Sequence, residues 1–321
     1  MSEEQLHKLE NTLLNVDGTT PLHTRFRALF TLRNLANEKA VKIISKGFDD
    51  ESALLKHELA YCLGQMRDES ALSTLSNVLA NESEDAMVRH EAAEALGAIS
   101  STTSLPILKK YCSDPERVVR ETCEIALARI EWEHSPEGLQ QKEHITSSGY
   151  TSIDPAPPSA GSPMTISPAV AANSTVGDLK STLLDRTKPL FERYRAMFAL
   201  RNIGSDEAVD ALAAGFSDDS ALFRHEIAFV FGQLLSPRSV PPLLEVLQNN
   251  AEESMVRHEA AEALGGIATP EVLPHLKEWM SKDGAPRVVK ESCAVAIDMW
   301  EYENSGEFQY ANGLGSSTIT A

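Results

Sequence analysis

Cysteine is scarce: four residues in 321, Cys62, Cys112, Cys123 and Cys293, with no CxxC among them. That is too few for a disulfide framework in a chain of this length, and thiolate metal motifs are excluded with it. A reducing, cytoplasmic setting is the expectation, with Cys123 and Cys293 as small core residues. Positive charge is also in short supply. Lys and Arg total 29 against 47 Asp and Glu, a formal net charge of −18. Nucleic acid is thereby excluded as a main partner, because phosphate binding needs a basic face. A basic or polycationic partner is favoured instead. No run of 18 apolar residues is present, so no membrane span is expected. Residues 1–8 have neither a basic n-region nor an apolar h-region, and no secretory signal is expected.

What the chain does have is itself, twice. Residues 86–97 (AMVRHEAAEALG) match 254–265 (SMVRHEAAEALG) at eleven of twelve positions, 168 residues apart. Residues 25–34 match 193–202 at seven of ten, and 47–65 match 215–233 at eleven of nineteen, at the same offset. RVVRETC at 117–123 matches RVVKESC at 287–293 at offset 170, which predicts two extra residues in the loop around Asp283 and Gly284.

Each copy has a finer period. Phe26, His57, His90 and Arg120 share one register, and Tyr194, His225, His258 and Lys290 hold it in the second copy. Steps of 30 to 33 residues with apolar positions at helical spacing, such as Val88, Ala92, Leu96 and Ile99, predict stacked helical hairpins. Pro106, Pro189 and Pro270 fall where helices should begin. The expected fold is all-α, an α-solenoid of eight HEAT-like hairpins in two four-repeat halves, 1–134 and 176–304. Residues 135–175, rich in Pro, Ser, Gly and Ala, read as a flexible linker, and 305–321 as a disordered tail.

Four His-Glu dipeptides occur: His57-Glu58, His90-Glu91, His225-Glu226 and His258-Glu259. Nine histidines and 32 glutamates in 321 residues lead to about one such pair by chance. All four lie at one register, in the two middle repeats of each copy, and the outer repeats carry no His there. Neighbouring helices stack about 8–10 Å apart, so the pairs can converge. Imidazole with carboxylate is a ligand set for iron, manganese or zinc, and two metals with open positions suit a di-iron centre. A di-metal hydrolase stays open on the same ligands. Gly64, Gly97, Gly232 and Gly265 follow each His by seven residues and either open room for a ligand or end their helices. Glu94 and Glu262, four residues after His90 and His258, are read as outer groups of the site, intrahelical ion-pair partners or solvated surface. Lys56, Arg89, Arg224 and Arg257 precede the four histidines and are candidates to neutralise the acidic cluster. His7, His23, His134, His144 and His275 have no matched partner and are read as surface residues.

Duplicated HEAT-like repeats with His-Glu in the two middle repeats of each half resemble the deoxyhypusine hydroxylase (deoxyhypusine monooxygenase) family, over about residues 8–135 and 176–303. The resemblance implies a solenoid closed round a di-iron site and O₂-dependent hydroxylation of the deoxyhypusine side chain of translation initiation factor 5A, completing hypusine. It implies one iron held by His57, His90 and Glu91 and the other by His225, His258 and Glu259. Glu58 and Glu226 would meet the amines of the substrate. The partner is then the deoxyhypusine-bearing factor, the chain a cytoplasmic monomer. The competing expectations are a non-catalytic HEAT-repeat scaffold for a basic protein and a bilin lyase, which shares the repeat type.

Overall fold

The computed structural model describes residues 1–144, 150–159 and 175–306. Helices pair in chain order. The first half has α1 (Glu3–Leu13) with α2 (Leu22–Leu35), α3 (Glu38–Ser45) with α4 (Ala53–Met66), α5 (Leu72–Ala80) with α6 (Ala86–Ile99), and α7 (Leu105–Tyr111) with α8 (Arg117–Glu133). A short α9 (Pro136–His144) follows. The second half has α10 (Val176–Leu184) with α11 (Leu190–Ile203), α12 (Asp206–Ala213) with α13 (Ala221–Leu234), α14 (Val240–Gln248) with α15 (Ser254–Ile267), and α16 (Val272–Ser281) with α17 (Arg287–Ser305). There is no strand among the described residues. The eight expected hairpins are present.

The second helix of each hairpin forms the inner layer. Successive inner helices pack on one another, α4 on α6, α6 on α8, α13 on α15 and α15 on α17. Close approach is built in. A Cβ on Gly64 would lie 2.8 Å from the Cα of Ala95, and one on Gly265 only 2.6 Å from the backbone of Ala296. Gly64, Gly97 and Gly265 therefore face the next inner helix, while Gly232, whose Cβ would lie 3.4 Å from Ala263, is also on the wall of the cavity between the halves. None of the four ends its helix: the left-handed residue that does so is Arg67, Ser100, Leu235 or Ala268. Helix packing is the role the other three share, because seven residues on from the His is the turn that meets the neighbouring repeat.

The halves close on each other at two junctions. α8 packs on α11 and α13, and α17 packs on α2 and α4. The contacts are duplicated too. Ser220, the N-cap of α13, donates to Glu121 of α8 at 2.6 Å; Ser52, the N-cap of α4, donates to Glu291 of α17 at 2.7 Å. Each glutamate is also gripped at 2.7 Å from its own helix, by Arg117 or Arg287. Arg27 adds a bond to Asp298 at 2.6 Å across the second junction. Each half keeps its own apolar core, and each core takes residues from the other half: Met87 and Ile125 pack in the second and Val295 in the first.

The two extra residues of the second copy lie after Trp279, which sits under Arg257 as Tyr111 sits under Arg89: seven residues separate Trp279 from α17 and five separate Tyr111 from α8. They lengthen the end of α16 and the turn at Asp283 and Gly284. One expectation needs correction. The stretch 135–175 is not uniformly a flexible linker. It contains α9, and residues 150–159 are fixed by bonds to both halves. Gln65 of α4 pairs with the backbone of Ile153 through two hydrogen bonds, 2.7 and 3.2 Å. Arg201 of α11 holds both carboxylate oxygens of Asp154, at 2.8 and 2.7 Å, and Gln233 of α13 donates to Ser152 at 2.8 Å. The remainder, 145–149 and 160–174, lies outside the described residues, as do 307–321 of the expected tail.

Candidate metal centre

Each functional histidine stands at the same place on its helix, five residues after the N-cap. The caps are Ser52, Asp85, Ser220 and Glu253. Three of them accept a backbone N–H in the first turn: Ser52 from Leu55, Asp85 from Met87 and Ser220 from Phe223. The equal phase aims all four imidazoles at the axis between the halves. The rings form one cluster, with centroids 5.4 Å apart for His57 and His90, 5.3 Å for His225 and His258, and 5.2 to 5.7 Å for the pairs that cross between halves. All four are buried, His90 and His258 with 0% exposure.

Carboxylates face the cluster across the repeat. Glu91 Oε2 is 3.2 Å from His57 Nε2, and Glu259 Oε2 is 3.4 Å from His225 Nε2. Glu58 Oε1 lies 3.4 Å from Nδ1 of its neighbour His57, and Glu262 Oε1 is 3.6 Å from His258 Nδ1. Ligand atoms of His225, His258 and Glu259 come within 4.8 Å of one another, as do those of His57, His90 and His225, and those of His90, Glu91 and Glu94. Of the eight ring nitrogens, four have neither a hydrogen bond nor an ion pair among the described residues: both of His90, Nδ1 of His225 and Nε2 of His258. Buried polar atoms are nearly always paired, so a cluster of imidazoles with unpaired nitrogens is a place built to receive something. Neutral nitrogen lone pairs beside carboxylates and no thiolate fit a metal of the iron, manganese or zinc kind.

The electrostatics agree with that reading. Burial, together with the neighbouring imidazoles, holds His90 and His258 well below the usual histidine range, in the neutral form a metal requires. His57 goes the other way. Burial opposes its charge, but the carboxylates of Glu91 and Glu58 outweigh burial and raise it well above the usual value. Burial and the neighbouring carboxyls push Glu58, Glu94, Glu226 and Glu262 upward. Without a cation, burial disfavours the charged form of these four carboxyls.

These groups open on a cavity of about 610 Å³. Its wall includes His57, His225 and six carboxyls: Glu58, Glu91, Glu94, Glu226, Glu259 and Glu262. His90 and His258 lie behind it. Tyr61 and Phe229, edge to face at 6.0 Å, supply apolar surface from the two halves, and Tyr150, Thr151 and Ser152 supply part of the rim. Sequence reasoning missed that rim. Glu94 and Glu262 belong to the cavity wall and are not solvated surface.

The basic residues before the histidines do not reach the cluster. One step along a helix turns a side chain about 100°, toward the outer layer. Arg89 donates to the carbonyl of Leu79 at 3.0 Å and to Asp114 at 2.5 Å, and Arg257 to the carbonyl of Leu247 at 3.0 Å while stacking on Trp279. Lys56 pairs with Glu84 and Arg224 with Glu252. They tie hairpins together and do not neutralise the acidic cluster. Among the other histidines, His7 and His134 are exposed, His23 and His275 are half-buried, and the side chain of His144 is outside the described residues. Cys123 and Cys293 are buried, as expected, with Cys62; Cys112 is half-buried.

The chain matches the family of HEAT repeats over residues 41–128 and 209–298, and that of the PBS lyase HEAT-like repeat over 192–218. It is 64% identical to a deoxyhypusine hydroxylase of Lentinula edodes, over 98% of this chain and 97% of that one. It is 51% identical to the mouse deoxyhypusine hydroxylase, over 98% and 97%. The solved structure of human deoxyhypusine hydroxylase in complex with glycerol superposes with a TM-score of 0.84 at 49% identity, covering 94% of this chain and 97% of the other.

Proposed function

Because the chain belongs to the deoxyhypusine hydroxylase family, we propose that it is a di-iron, O₂-dependent monooxygenase that hydroxylates the deoxyhypusine side chain of translation initiation factor 5A. The observation that carries this reading is the buried group of imidazoles, with carboxylates at 3.2 and 3.4 Å and four ring nitrogens without a partner among the described residues. In this reading His57, His90 and Glu91 hold one iron and His225, His258 and Glu259 the other. Bound there, iron supplies the electrons for reductive activation of O₂, which no side chain can supply.

The protein's own part is to bind, orient and exclude water. The substrate arm is a polyamine, and six carboxyls line the cavity it would enter. Glu58 and Glu226 lie beside the inferred ligands and take the ammonium groups by charge-assisted hydrogen bonds. Both carboxyls are held upward by burial in the protein alone. An arriving ammonium opposes that shift and favours the carboxylate form with which it pairs. Tyr61 and Phe229 cover the alkyl chain between the charged ends and keep water from the reacting carbon. The net charge of −18 steers a basic protein surface toward the mouth. Since both halves of the site come from one chain, a monomer suffices, and four unpaired cysteines suit a reducing cytoplasm.

Metal content tests this directly. About two irons per chain after anaerobic loading are expected, with hydroxylation of the deoxyhypusine-bearing factor in air. His57→Ala should lose iron and activity together, by more than the roughly 10- to 100-fold that losing a partner of a ligand costs. Full activity in an iron-free variant would overturn the proposal. Stoichiometric zinc with hydrolytic activity would favour the di-metal hydrolase, and no metal at all the scaffold.

A further inference from the structure

Arg33 is out of place. Among the described residues it is the one Lys or Arg on a cavity wall that carries six carboxyls, and a polyamine arm has no use for it. The duplication explains what such an arginine can hold, because Arg33 has a twin, Arg201, 168 residues on. The two are cradled alike. Arg33 donates from Nε and Nη2 to Asn34 Oδ1 at 3.3 and 3.2 Å, with its guanidinium 5.1 Å from the Phe30 ring centre. Arg201 donates from the same atoms to Asn202 Oδ1 at 3.2 and 3.1 Å and lies 4.8 Å from Phe198.

They differ in one respect. Arg201 is fully covered, its remaining N–H groups engaged by the two oxygens of Asp154 and by Gln233 at 2.7 Å. Arg33 is half-buried and meets no carboxylate among the described residues. Gln65, the twin of Gln233, is occupied by the backbone of Ile153. The first half thus repeats the arginine that holds Asp154 in the second, on the same asparagine and ring, without an acid to fill it among the described residues. The chain's own acid, Asp154, is committed to Arg201.

We propose that Arg33 docks a carboxylate of the substrate protein at the cavity mouth, as Arg201 docks Asp154. This rests on the reading that a protein side chain enters the cavity. The planar fork suits a single carboxylate bidentately, whereas a polyanion would be repelled by the surrounding acids. The substrate protein therefore presents a cation to the interior and an Asp or Glu to the rim. The pair of opposite charges fixes which way the segment lies across the mouth.

Steady-state kinetics on the iron-loaded full chain decide it. Two substrates are used: the intact deoxyhypusine-bearing protein, and a short deoxyhypusine peptide without acidic residues. Arg33→Gln should raise KM for the intact protein about 10- to 100-fold, the span of one charge-assisted pair, at similar kcat and iron content. KM for the peptide should not move. Arg33→Lys should recover only part of the loss, since it keeps the charge without the fork, and it guards against a folding defect. An unchanged KM for the protein, or equal rises for protein and peptide, overturns the docking role while the hydroxylase reading stands. A wild-type chain inert toward both substrates overturns the two together.

Discussion

Burial, and the Glu91 carboxyl beside it, push the Glu94 carboxyl well above the usual carboxylate range. The unfolded chain releases that proton above about pH 4.5, while the folded chain keeps it until its own raised pKa is reached. The folded state then binds more protons, and stability falls as pH rises through that window. Glu94→Gln removes the ionisable group and keeps the shape. The metal-free variant should therefore melt above the metal-free wild type at pH 8, by about 2–4 °C per kcal/mol recovered, and the gap should close toward pH 4.5. Thermal melts at the two pH values check it; a gap that widens on acidification contradicts the sign. At this scale the sequence was most legible where the duplication repeated a residue. Two copies each showing His-Glu twice made the histidines plain. The arginines one position earlier were misread because a single step along a helix changes the layer a side chain faces. Arg33 was passed over because its meaning lies in the contrast with Arg201, which needs coordinates.

Helices here are set by how near they come to their neighbours. A Cβ on Gly265 would meet the Cα and O of Ala296 at 2.6 Å, backbone atoms that cannot swing aside. One on Gly232 would meet Ala263 at 3.4 Å. Alanine gains about 1 kcal/mol over glycine within a helix. At Gly232 that gain should balance the contact, and Gly232→Ala should be near neutral. At Gly265 overpacking should win by about 1–3 kcal/mol, with iron occupancy falling as α15 is pushed from α17. Comparing the two melting curves and metal contents tests the pair. Helix periodicity was readable because a 3.6-residue stripe is local. The ordered stretch at 150–159 was not, because three residues of distant helices hold it, Gln65, Arg201 and Gln233, and its own composition is that of a tether.

The whole molecule is two halves joined by two equivalent junctions, Glu121 with Ser220 and Glu291 with Ser52. The peptide linkage between them repeats what those junctions already do. Residues 1–159 and 175–306 made as separate chains should therefore associate one to one, and hydroxylation should return only when both are present. Co-purification and an activity assay would show it; full activity in one half alone would contradict a shared site. Closure has one more consequence. An open repeat array can lengthen or shorten by a unit, since each unit touches only its neighbours. Here the last inner helix must return to the first, and Ser52 and Ser220 at the two seams cap the very helices that carry His57 and His225. A ninth hairpin, or the loss of one, would leave a seam unmatched and pull a histidine off the axis. The repeat number is thus tied to the site: the ring that closes at eight hairpins is also what aims four histidines at one point.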